Sequence, residues 1–379
     1  MFKITTLNKI SNTGLSVLPK DCFEISDSMD APDGIILRSF SMHETELPAS
    51  LLAVARAGAG VNNVPIDRCS EAGVVVFNTP GANANAVKEL VVAGLLLSSR
   101  KIVNGINWVS TLEGQAEVAK LVEKGKGEFV GPEITGKTLG VVGLGAIGAL
   151  VANAANALGM NVIGYDPFLS VDGAWNIDPC VKRTASLGEI YEKCDYISLH
   201  LPVNAETKKM FNADILNSCK AGVRVLNFAR GELVDNAAMK AALESGQVSC
   251  YVTDFPDETV VNVKNIVTIP HLGASTPESE ENCAYMASVQ LKNYLEQGNI
   301  KNSVNFAECQ LPFAGDKRVC VISKADVASE LTSALPAVKG MISKSKGNNF
   351  YTIVDVDKNA SVDANALKAI ANVVNVRVI

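Results

Sequence analysis

Gly143-Leu144-Gly145-Ala146-Ile147-Gly148 follows the apolar run Thr138–Val142 and opens an alanine-rich stretch that closes near Leu158-Gly159. A strand, a glycine-rich turn and a helix start, in that order, suit a dinucleotide. Gly143 makes the tight turn, Gly145 lets a pyrophosphate approach the backbone, and Gly148 lets helix and strand pack closely. The anion then rests on free N–H groups of the helix start, those of Ala146 and Ile147 among them. Asp166 follows the next apolar run, Val162–Tyr165, close to the roughly 20-residue distance at which a carboxylate accepts from the adenosine ribose. A carboxylate there repels a 2′-phosphate, so the pattern predicts NAD rather than NADP.

Around this turn the chain alternates. Strand-length apolar runs at Tyr196–Leu199, Val223–Phe228, Ser249–Thr253 and Ile266–Ile269 continue the series, mostly separated by helix-length segments. That is the βαβ pattern of a Rossmann-type, doubly wound α/β sheet. Upstream, Ile35–Leu37 and Val74–Phe77 lie between turn signals, and their two-sided apolarity suits a second parallel sheet covered by helices. Downstream, 303–316, with Pro312 and Gly315, reads as a linker. Beyond it, Arg318–Ile322, Ala325–Val338, Met341–Ser343, Phe350–Asp357, Asp363–Ala371 and Val373–Ile379 read as β-α-β-β-α-β, a ferredoxin-like unit over 317–379.

Composition narrows the function. The 379 residues suffice for two or three domains, and 47% apolar with 20% charged residues is the profile of a globular enzyme. Lys plus Arg at 34 against Asp plus Glu at 40 gives a net charge of −6, which speaks against nucleic acid as a partner. The apolar run Leu90–Leu97 is far short of the roughly 20 residues that span a bilayer, so no membrane segment is expected. Nine scattered cysteines without a C-x-x-C pair, and no charged-then-apolar leader at Met1–Ile4, point to free thiols and a cytoplasmic location. His43, His200 and His271 are the only histidines; none pair at metal-ligand spacing, and no metal is expected.

Oxidising a hydroxyl with NAD asks for a base, a cation for the substrate's carboxylate, and a partner that tunes the base. His271 follows Ile266–Ile269, Glu258 lies in the loop after Ser249–Thr253, and Arg230 follows Val223–Phe228. All three thus fall beyond C-terminal strand ends of the sheet expected to hold NAD, where ligands bind in such folds. A carboxylate beside an imidazole raises its pKa and fixes its tautomer. A guanidinium fork holds a carboxylate through two bonds. His200, in His200-Leu201-Pro202, ends another strand and reads as lining the cofactor cleft, whereas His43 reads as a surface residue.

These segments resemble the D-isomer-specific 2-hydroxyacid dehydrogenase family, over about 35–379. The resemblance is carried by Gly143–Gly148 with Asp166, by His200-Leu201-Pro202, by Asn227–Asp235 and by Pro270–Pro277, with Arg56–Asn63 and Asn78–Asn83 upstream. It implies a flavodoxin-like substrate domain (1–88 with 274–302) clasping an NAD domain (89–273). It implies Arg230, Glu258 and His271 as the catalytic trio, with Phe228, Ala229, Asp254, Gly273 and Ala274 as further cofactor contacts. Asp254 stands one position nearer Phe255 than the family's Asp-x-Phe pattern. The substrate's carboxylate would meet N–H groups at Ala59-Gly60-Val61, and Arg38-Ser39 would help hold a phosphate. The implied reaction is oxidation of D-3-phosphoglycerate to 3-phosphohydroxypyruvate, the entry to L-serine biosynthesis. Other members act on glyoxylate, hydroxypyruvate or D-lactate, and the fold also serves NAD-sensing binding proteins. The C-terminal unit resembles an ACT domain, but Ser323–Val327 lacks its Asn-x-Pro-Gly turn, which favours subunit contacts over serine feedback. A homodimer or homotetramer is implied.

Overall fold

Short runs of Val, Ile and Ala, bounded by turns, make the parallel strands, and amphipathic stretches between them make the covering helices. The computed structural model describes residues 1–313 and 316–379. It divides into two units, Met1–Asn83 with Pro277–Ile379, and Ala84–Thr276.

The first unit holds two sheets. One is wholly parallel: β1 (Phe2–Leu7), β2 (Phe23–Ser26), β3 (Gly34–Leu37), β4 (Ala53–Arg56) and β5 (Val75–Phe77), in the order β2-β1-β3-β4-β5. This is the flavodoxin-like order. The helix Pro277–Gln297 covers one face, where its Ala284, Ala287, Leu291 and Leu295 share a core with Ile4, Ile36, Ala53 and Phe77.

In the second unit seven parallel strands follow: β6 (Thr138–Val142), β7 (Asn161–Tyr165), β8 (Lys182–Arg183), β9 (Tyr196–Leu199), β10 (Val223–Asn227), β11 (Val248–Thr253) and β12 (Ile266–Thr268). Their order, β12-β11-β10-β9-β6-β7-β8, is the Rossmann arrangement, and it reverses between β6 and β9. Such a reversal opens a crevice at the strands' C-terminal ends. The helices Ile102–Ser110 and Val118–Gly125 of this unit bury none of their residues. No described helix is long and apolar enough to cross a membrane.

The chain returns to the first unit with β13 (Lys317–Ser323), β14 (Val338–Lys346), β15 (Asn349–Val356) and β16 (Val373–Val378), antiparallel in the ferredoxin-like order β14-β15-β13-β16. One face packs Val319, Val321, Val354 and Val356 on Leu331 and Leu367. The other sends Cys320, Ile322, Tyr351 and Ile353 into the core beneath Pro277–Gln297. Polar groups of this sheet also finish that helix. Arg318, wholly buried, is bidentate to Asp355 at 2.6 and 2.7 Å and donates to Gln297 O at 2.7 Å. Arg377 donates to Leu295 O at 2.7 Å and Tyr351 to Gly298 O at 2.6 Å. Carbonyls that a helix end leaves unpaired are thereby satisfied.

Three expectations change. The helix expected over Ala325–Val338 is confined to Ala328–Ala334, because Leu335 precedes Pro336 and is extended (φ −100°, ψ 130°). The strand expected at Met341–Ser343 runs the length of β14, since it forms a hairpin with β15 through Gly347 at φ +58°. Of the expected linker 303–316, the described part over 303–313 packs on the first unit: Asn305, Phe306 and Cys309 are buried, Ser303 bridges Phe77 and Cys309 bridges Ile300. Gly315 lies outside the described residues.

Candidate active site

At the β6–β9 reversal the three glycines divide their work. Gly143 has φ +93°, and a Cβ there would lie 2.4 Å from His200 O. A Cβ on Gly148 would lie 1.9 Å from Gly143 O, whereas one on Gly145 would meet nothing within 4 Å. The outer glycines thus close the turn, and the middle one leaves room for a ligand. Gly145 caps the helix Ala146–Ala157 without a side-chain bond, so its first N–H groups stay available to an anion. Asp166 Oδ2 accepts from Leu144 N at 2.9 Å and its Oδ1 from Phe168 N at 2.8 Å, which fixes the carboxylate beside the turn. Its remaining lone pairs suit a ribose hydroxyl.

His200 follows β9. Its Nε2 bonds Ser198 Oγ at 2.9 Å, while Nδ1 is buried without a partner. Burial lowers its pKa from 6.5 to about 4, so the ring is neutral near pH 7. Leu201 packs near Gly143, and Pro202 O accepts from Thr207 at 2.7 Å. The expected cofactor contact Phe228 turns its ring into the core against Gly94, so its main chain alone is free for a ligand.

Arg230 follows β10 on a loop held by Asn227, which is buried. The Asn227 amide donates to Arg230 O at 2.8 Å and accepts from Ala229 N and Arg230 N. The Arg230 guanidinium is otherwise exposed and, among the described residues, bonds only Ala229 O. The rings of His271 and Phe255 meet at a tilt of 54° with centroids 4.7 Å apart, and both residues line a cleft of about 850 Å³ with Asp254, Asp257, Gly231 and Asn236. Asp254 is buried with neither oxygen hydrogen-bonded. Burial raises its pKa, opposed first by the charge of His271. Gly273 is close, since a Cβ there would sit 3.3 Å from Asp254 Oδ2, and Ala274 follows it half-buried.

Glu258 departs from the expected trio: it is exposed and forms no hydrogen bond or ion pair, with His271 or any other described residue. The cause is local. Asp257 accepts from Thr259 N and from the Asn236 amide, which sets a turn that directs Glu258 to solvent. It is Asp257, not Glu258, that lines the cleft of His271.

In the other unit, Arg38 follows β3 and pairs with Glu280 at 2.6 Å, and Ser39 is exposed. The loop Ala59-Gly60-Val61 follows β4; Asn78 holds it through Ala59 O at 2.7 Å, and none of its three N–H groups donates to a described residue. His43 is exposed, bonded to Asn62 O. Sequence reasoning missed Asn227, Ser198 and Glu280. A buried Asn closing an apolar strand was a usable signal for the first; the other two become partners only once the chain folds.

Residues 92–273 match the model for "D-isomer specific 2-hydroxyacid dehydrogenase, NAD binding domain". This unit belongs to that family. The space above Gly145 and the unpartnered Asp254 and His200 atoms fit the NAD that the family binds. A D-3-phosphoglycerate dehydrogenase of Bacillus subtilis is 32% identical over 80% of this chain and 59% of its own. The chain spans little more than half the length of the curated relatives it matches. Among solved 2-hydroxyacid dehydrogenases, NAD+-bound 3-phosphoglycerate dehydrogenase of Entamoeba histolytica superposes with a TM-score of 0.62 at 25% identity, covering 80% of this chain and 98% of that one. A glyoxylate reductase of Paecilomyes thermophila gives 0.65 at 25% identity, with 80% and 98% covered.

Proposed function

We propose that the chain oxidises D-3-phosphoglycerate to 3-phosphohydroxypyruvate with NAD, the first step of L-serine biosynthesis. The observation that carries this reading is His271 in one cleft with the unpartnered carboxylate of Asp254, in the sheet that bears the dinucleotide turn. Gly145, Ala146 and Ile147 would hold the pyrophosphate, Asp166 the ribose, and His200, Leu201, Pro202, Ala229, Asp254, Gly273, Ala274 and the Phe228 main chain the rest of the cofactor. When bound, NAD supplies the hydride acceptor. Arg230 takes the substrate's carboxylate and polarises the C2 oxygen. His271 removes the hydroxyl proton as C2 becomes a carbonyl. Glu258 is assigned as the partner of the imidazole, which requires the turn at 257–260 to rearrange. Ala59, Gly60 and Val61 meet the carboxylate through their N–H groups, and Arg38 with Ser39 meets the phosphate.

A second reading, another D-2-hydroxyacid dehydrogenase, is favoured by the ion pair that occupies Arg38. The exposed Ile106, Val109 and Val130, at 59%, 48% and 71%, suit a subunit interface in a homodimer or homotetramer. The free cysteines suit the cytoplasm. The test is product analysis: D-3-phosphoglycerate and NAD should give NADH and a trappable 2-oxo acid in equal amounts. NADH binding without turnover of any hydroxy acid would contradict it and indicate a sensor.

A further inference from the structure

Arg38 is fixed at its backbone and ion-paired at its tip. Its carbonyl accepts from Arg56 Nε and from the Asn63 amide, each at 3.1 Å, so the main chain after β3 is held from two sides. The guanidinium, 35% exposed, lies 2.6 Å from Glu280 Oε1, whose side chain is 46% exposed. Glu280 stands in the first turn of Pro277–Gln297, where the positive end of the helix favours a carboxylate. Its neighbour Glu281 instead accepts from Thr13, and among the described residues Glu280 is the carboxylate paired with Arg38.

We propose that Glu280 is a specificity-determining residue: a resident counter-ion that an anionic substrate group must displace from Arg38. The inference rests on the reading of Arg38 as the phosphate-facing cation. An ion pair this exposed is weak and yields to a stronger anion. A phosphate dianion, with twice the charge and a geometry matched to the guanidinium fork, displaces a carboxylate that an uncharged hydroxymethyl group cannot. Once displaced, Glu280 remains tethered nearby and repels the phosphate. The site therefore still selects for charge, but binds the phosphorylated acid less tightly than Arg38 alone would.

The test compares kcat/KM for D-3-phosphoglycerate and D-glycerate in the wild type, Glu280→Gln, Glu280→Ala and Arg38→Gln. Removing the carboxylate should raise the phosphorylated-to-unphosphorylated ratio about 3- to 10-fold in both Glu280 variants, as expected for one unit charge a few ångströms away at partial exposure. The gain should shrink in high salt, which a merely structural role would not do. An unchanged or lowered ratio in the Glu280 variants, while Arg38→Gln still loses the phosphorylated acid selectively, overturns the proposal and leaves the role of Arg38 standing. If Arg38→Gln treats both acids as the wild type does, the phosphate-facing reading itself fails and takes the inference with it.

Discussion

His271 and His200 occupy comparable strand-end positions and differ in what surrounds them. His271 is exposed and rests against the tilted ring of Phe255, so it can exchange a proton with a substrate. Replacing it with Ala should lower kcat by about 10²–10⁴-fold. NADH affinity, read by fluorescence titration, should stay within about threefold, because no dinucleotide phosphate depends on the imidazole; equal loss of both would contradict its role as base. His200 is half-buried with its Nδ1 enclosed, and burial lowers its pKa to about 4 against 6.5 in the unfolded chain. A lowered folded-state pKa means that the unfolded chain takes up the proton first. The stability it contributes is complete above about pH 7 and is lost as the pH falls from 6.5 towards 4, on the order of 3 kcal/mol. The midpoint of denaturant melts should fall with pH across that range in the wild type, and fall less in His200→Gln. The candidate site was legible where chemistry attaches to a strand end, as at Arg230 and His271. It was not legible at Glu258, because the Asp257 turn that redirects it depends on a bond from the distant Asn236.

At the scale of elements, the strand–turn–helix around Gly143–Gly148 offers a sharp contrast. Alanine at 148 would drive a methyl into the Gly143 carbonyl, and the backbone there cannot give cheaply. Overpacking of this kind costs about 1–3 kcal/mol, so Gly148→Ala should lower both the melting temperature and NAD affinity. Alanine at 145 meets no protein atom and lies at φ −67°, so Gly145→Ala should melt like the wild type yet bind NAD at least ~10-fold more weakly, as the methyl takes pyrophosphate space. Loss of stability in Gly145→Ala with unchanged NAD binding would reverse the assigned roles. The same turn was readable in the sequence because each glycine answers to one steric demand. The boundaries of β14 were not, since they depend on pairing with β15 rather than on local pattern.

Across the whole molecule, most strands of the seven-stranded sheet and the ferredoxin-like element order followed from apolar runs, whereas β1, β2 and β4 of the first parallel sheet were not read from local pattern. What the sequence concealed is that the antiparallel sheet shares its core with the flavodoxin-like sheet, through Cys320, Ile322, Tyr351 and Ile353. No periodicity encodes which face of a sheet meets another element, and the buried Arg318–Asp355 pair is visible only after folding. The most direct measurement is NADH formation at alkaline pH with D-3-phosphoglycerate beside D-glycerate, D-lactate and glycolate. A clear preference in kcat/KM for the phosphorylated acid is the predicted result. Oxidation of the unphosphorylated acids alone would contradict the assigned substrate.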